Sequence, residues 1–184
     1  ESKKNLIYNY EIKNKGCFID LKEFSGKKLD YLQPLTRTKK NILKVIKFYS
    51  KTWPKKKKVP CHGDLTFDNI IFSKNKIRII DWECFNCKGE FWGYDLVYFV
   101  LSAATFPYYK RGFLPSEDQK ILRNIWIKLK NLGLDNKVLT NPNNELRNIF
   151  QKKHWQMILK RSPKKLFPMF MKNKFANHIN SIIN

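Results

Sequence analysis

With 184 residues, 42% hydrophobic and 15% aromatic, the chain suffices for one domain with a packed core, which excludes wholesale disorder. No window approaches the roughly 18 uninterrupted apolar residues of a membrane helix, and residues 1 to 30 lack the charged-then-apolar pattern of a secretory signal. A formal charge of +22, from 37 Lys and Arg against 15 Asp and Glu, creates a positive field that attracts polyanions. The expectation is a soluble cytoplasmic protein, peripheral at the inner membrane face if that charge meets acidic lipid; the plain alternative is a solvating surface.

Residues 5 to 12 and 17 to 24 are rich in β-branched and aromatic residues, with turn chemistry at Lys13-Asn14-Lys15-Gly16, and read as a β-hairpin. Glu23-Phe24-Ser25-Gly26 then breaks the strand pattern. From Thr36 to Ser50, Ile42, Val45, Ile46 and Tyr49 fall at helical spacing opposite lysines, which predicts an amphipathic helix. The run Lys55 to Lys58 reads as an exposed loop. Residues 69 to 73 and 76 to 81 read as two short strands around Ser73-Lys74-Asn75-Lys76, a hairpin that returns Asp81 to Asn69.

Helices follow: Tyr94 to Ala104, then Glu117 to Leu132 with Ser116 and Gln119 as a capping box and a buried stripe of Ile121, Leu122, Ile125, Leu129 and Leu132. Further helices are expected at 143 to 160 and 172 to 183, separated at Pro163 and Pro168. The layout is α+β with helices dominating.

Two patterns bear on chemistry. Cys84-Phe85-Asn86-Cys87 has the spacing of half a zinc knuckle, with Cys61-His62 as conceivable partners, but there is no second CxxC. The four cysteines, Cys17 included, are expected as thiols. His62-Gly63-Asp64-Leu65-Thr66-Phe67-Asp68-Asn69 has the H-x-D-x-x-x-x-N spacing of a phosphoryl-transfer loop, and Ile79-Ile80-Asp81-Trp82-Glu83 follows twelve residues on. Singly, each acid is a turn cap, a strand end or a lysine partner. Their joint order favours a site.

HGDLTFDN, IIDWE and then GYDL at Gly93 to Leu96 resemble the aminoglycoside phosphotransferase and choline kinase superfamily, over residues 61 to 99 most of all. The resemblance implies a protein-kinase-like fold: residues 26 to 184 as a mainly helical catalytic lobe containing a catalytic β-hairpin and ending in basic helices. Residues 1 to 25 would be the last strands of a truncated N-terminal β-lobe and its hinge. It implies Asp64 as catalytic base, His62 supporting the loop by hydrogen bonding, Asn69 and Asp81 as ligands of Mg²⁺ and the bound nucleotide, and Asp95 bracing the loop from a following helix.

A phosphate-covering G-x-G-x-x-G loop is absent from the seven glycines. The chain starts at Glu1 rather than Met, and two readings stand: a nucleotide-gripping lobe has been lost from the start, or a much reduced version of it works here. For the acceptor, Trp82, Glu83, Phe91, Trp92, Tyr94 and Tyr98 form either a wall around a cation or ordinary core. The basic and aromatic tail from Arg147 to Lys174 reads as closing helices, or as a segment lying on an anionic membrane or glycolipid surface. The leading expectation is transfer of the γ-phosphate of ATP to a hydroxyl of a sugar, a choline-like amino alcohol or a surface-glycan component. The alternatives are an inactive kinase-like binding module and a basic nucleic-acid-binding protein, the latter with no nucleic-acid fold motif beside the charge.

Overall fold

A computed structural model describes residues 7–13, 16–21, 33–73, 76–150 and 172–184. The hinge expected at Glu23–Gly26 and most of the basic tail lie outside them.

The chain opens with β1 (Ile7–Lys13) and β2 (Gly16–Leu21), paired antiparallel. Helix α1 (Leu35–Thr52) buries Leu35, Thr38, Ile42, Val45, Ile46 and Tyr49 at intervals of three and four residues, and its basic residues face solvent. The residue before it is Pro34, which offers no side-chain cap; instead Asp118, from a helix later in the chain, accepts the Thr36 N–H at 3.0 Å. That buried carboxylate is a cap supplied from another helix, satisfying one of the donors that every helix start leaves open.

Two short antiparallel pairs then frame the centre of the molecule. Strand β3 (Val59–Cys61) pairs with β6 (Asn86–Glu90), and β4 (Ile70–Phe72) pairs with β5 (Ile77–Ile79) in the register Ile70 to Ile79, Ile71 to Arg78, Phe72 to Ile77. One turn of 3₁₀ helix, Phe67–Asn69, precedes β4 and another, Trp82–Cys84, follows β5.

Helix α2 (Tyr94–Arg111) is buried on almost every side and is the axis of the core. It runs beyond the expected end at Ala104 and through Pro107. Proline there removes one backbone hydrogen bond, but Tyr108 beyond it is buried, its ring 5.1 Å from both Phe175 and His178, and this packing carries the helix on. Helices α3 (Ser116–Asn131), α4 (Asn136–Thr140), α5 (Pro142–Phe150) and α6 (Asn173–Ile183) complete the described elements, with α1 and α5 against α2, and α6 against α3.

The capping box at Ser116 does not form. Pro115 occupies the cap position in extended conformation, Ser116 is already helical, and the Gln119 side chain donates to the Leu114 carbonyl at 2.7 Å rather than to a cap N–H. The expected stripe of α3 is buried except for half-buried Leu132, and Trp126 joins it. The architecture is α+β, built from helices and small two-stranded sheets. Among the described residues, no helix is long and apolar enough to cross a membrane.

Candidate active site

Strand β3 delivers the chain into His62-Gly63-Asp64, a bend with Gly63 at φ 103°, where a side chain would be strained. The start of α2 holds the bend. The Asp95 carboxylate accepts the His62 N–H on Oδ2 and the Gly63 N–H on Oδ1, each at 2.9 Å, while the Tyr94 hydroxyl donates to the Gly63 carbonyl at 3.1 Å. Asp95 is fully buried in the first turn of α2, where the helix dipole favours an anion. Burial nevertheless pushes its carboxyl up to about 6, against the lowering effect of the two N–H groups.

Gly93, the residue before α2, has φ 91°, and a Cβ there would run into the Leu134 side chain. The positive φ is what favours glycine here, while the Leu134 methyl could shift aside.

The hairpin brings the second half of the motif back. The Ile80 N–H donates to the Asn69 carbonyl at 3.0 Å, so Asp81 emerges beside Asn69. Asn69 is buried, and its amide nitrogen donates to the Asp64 carbonyl at 3.0 Å, which leaves its amide oxygen as the acceptor end. Asp81 is exposed and takes left-handed φ and ψ of 60° and 67°, alone among the described non-glycine residues in having a positive φ. Such a conformation costs on the order of 1 kcal/mol and turns the chain sharply at the end of β5.

His62 is fully buried between the two halves. Its Nε2 lies 2.8 Å from the Ile80 carbonyl and its Nδ1 3.2 Å from Asp64 Oδ1. Burial alone would lower its pKa, yet the Asp64 carboxylate, the Ile80 carbonyl and the charge of Asp95 together raise it. Cys84 approaches Asp64 from another side. Burial first, then the charges of Asp64 and Asp81 and a hydrogen bond to Asp64, push its thiol up to about 12. One buried sulfur thus feels both carboxylates.

Trp82 and Glu83 face solvent, Trp82 with its ring 4.8 Å from His62 and parallel to Trp53 at 6.5 Å. Trp92 is buried, donates to the Trp53 carbonyl at 3.3 Å and carries the Lys55 ammonium 5.3 Å from its ring centre. Tyr94 and Tyr98 are buried as well and Phe91 half-buried, so most of the expected aromatic wall is core. Sequence reasoning missed the roles of Cys84 and Tyr94 at the loop; the signal for Tyr94 was its place beside Asp95.

Among the described residues, no group of three or more His, Cys, Asp or Glu side chains is arranged to hold a metal, and Cys84 and Cys87 differ, one buried and the other exposed. The Asn69 amide oxygen and the Asp81 carboxylate are hard oxygen donors of the kind Mg²⁺ takes singly or in pairs, completing its shell with water and phosphate. They fit that ion.

A family model described as a phosphotransferase enzyme family matches residues 19–111, just over half the chain, including the whole stretch from His62 to Asp95. No curated protein and no solved structure matches it.

Proposed function

Because this chain belongs to the phosphotransferase enzyme family, we propose that it transfers the γ-phosphate of ATP to a hydroxyl group of a small molecule, with Asp64, Asn69 and Asp81 as its working residues. In this reading α1 to α6 belong to the catalytic lobe of a protein-kinase-like fold, and the β1–β2 hairpin is the end of its β-lobe. The observation that carries the proposal is the Ile80-to-Asn69 hydrogen bond, which returns Asp81 to the loop bearing Asp64.

The Asp64 side chain, about one-fifth exposed, is open to an acceptor on one side and held by His62 on the other. Its carboxylate accepts the proton of the acceptor hydroxyl as that oxygen bonds to phosphorus, and the bond from phosphorus to the leaving nucleotide oxygen breaks. Asn69 and Asp81 hold Mg²⁺, which when bound supplies positive charge to the phosphate oxygens. His62 and Asp95 contact neither reactant; they fix the loop so that Asp64 does not wander from the attacking oxygen.

The test is nucleotide turnover by the full-length protein over a panel of sugar, choline and aminoglycoside acceptors. Asp64→Asn should lower the rate by about 10² to 10⁴ with nucleotide binding retained. Absence of turnover with every acceptor, or equal rates in the variant, would sink the proposal.

A further inference from the structure

The outer face of α1 carries a feature that phosphate transfer does not use. Arg37, Lys40, Lys44, Lys47 and Lys51 are all exposed and follow one another at three or four residues. At about 100° and 1.5 Å per residue they form one stripe about 21 Å long within an arc of about 80°. α1 contains no acid, and among the described residues none of the four lysines forms an ion pair. The acids of the neighbouring α3 are both in its first turn, where Glu117 pairs with Lys120 and Asp118 is buried on the Thr36 N–H.

Beside the stripe, α1 and α3 enclose an open groove of about 430 Å³. Lys39 and Lys128 stand on its two sides, Asn124 and Asn131 add amides, and Leu43 and Ile127 make it apolar. Ile127 is 57% exposed, the most exposed large aliphatic side chain described.

We propose that this face, stripe and groove together, docks the protein on an acidic phospholipid membrane. The stripe supplies charge at the density that binds anionic headgroups, and an amphipathic groove with cations on both sides suits a headgroup above and acyl carbon below. A nucleic-acid strand would use the same charge but gains from aromatic stacking, and the groove is lined by no aromatic ring. The surface is independent of the phosphotransferase reading and would stand if that reading fell.

The test is co-sedimentation of the full-length protein with vesicles of phosphatidylcholine alone or mixed with phosphatidylglycerol. Binding is expected only to the mixture. The combined variant K40Q/K44Q/K47Q/K51Q should lower the partition coefficient at least tenfold, and Ile127→Ser roughly threefold, with unchanged circular dichroism because every altered side chain is exposed. No binding to acidic vesicles, or an unchanged partition in either variant, overturns the proposal. So does a single-stranded RNA that displaces the vesicles and loses its own binding in the lysine variant.

Discussion

His62 Nε2 lies 2.8 Å from the carbonyl oxygen of Ile80, joining across 18 residues the loop that carries Asp64 to the strand end that carries Asp81. A carbonyl only accepts, so this nitrogen bears the hydrogen, and a second N–H on Nδ1 is what makes its 3.2 Å approach to Asp64 attractive. His62→Phe keeps the ring packed against Trp82 but cuts both links. Its kcat is expected to fall about 10- to 100-fold with KM for nucleotide little changed, since a small displacement of the base is enough; steady-state kinetics checks this.

The same contact gives a pH signature. The folded pKa of His62 is raised, so its contribution is fully present below the unfolded value of about 6.5 and is lost as pH rises through the higher folded value. Tm should therefore decline as pH rises above 6.5. His178, lowered by burial, titrates below that window and does not enter it. In His62→Phe the decline above 6.5 should vanish, as calorimetry across the range would show.

Asp95→Asn tests the brace. One oxygen of the carboxylate becomes an NH₂ facing a buried backbone N–H, so the loop loses an acceptor that no water replaces, at about 2 to 3 kcal/mol. The Asp95 carboxyl titrates near 6 in the folded chain, against about 3.9 unfolded, so the folded state holds this proton more tightly. Its contribution is therefore fully present below the unfolded value and is lost as pH rises from about 4 to 6. Urea denaturation at the two ends of that window should show this loss in the parent and a shallower slope in the variant, which has no carboxyl to titrate there.

Much of this arrangement was legible in the sequence, for reasons that also mark where legibility stopped. The β4–β5 hairpin follows from its apolar runs and central turn, and α1 and α3 from their buried residues at helical spacing. The β3–β6 pair could not be read that way. Val59–Cys61 is too short to alternate, and Asn86–Glu90 contains no β-branched or aromatic residue. Nor could the hydrogen bond between Cys84 and Asp64, which joins residues far apart in the chain that no local pattern links. Propensity also misjudged ends: the packing of Tyr108 carried α2 through Pro107, and Pro115 displaced Ser116 from the cap of α3.

Asp81→Asn separates charge from shape. Asparagine tolerates the left-handed conformation at this turn, so stability should stay within about 1 kcal/mol of the parent. The carboxylate offered to Mg²⁺ is gone, and the affinity for nucleotide measured with Mg²⁺ should drop at least tenfold, with a smaller change in its absence. Isothermal titration with and without the ion makes the comparison; equal losses in both would mean that Asp81 does not act through the metal.

Asp118→Ala probes the cap that α1 borrows from α3. The Thr36 N–H would lose its acceptor, and no side chain at Pro34 can replace it. Loss of a cap costs about 1 to 2 kcal/mol, and the cavity left by a buried side chain adds to it. Asp118→Asn keeps an oxygen at the same place and should recover more than half of the loss in urea denaturation. Equal losses in the two variants would mean that the carboxylate's charge near the helix start, rather than its hydrogen bond, holds α1 in place.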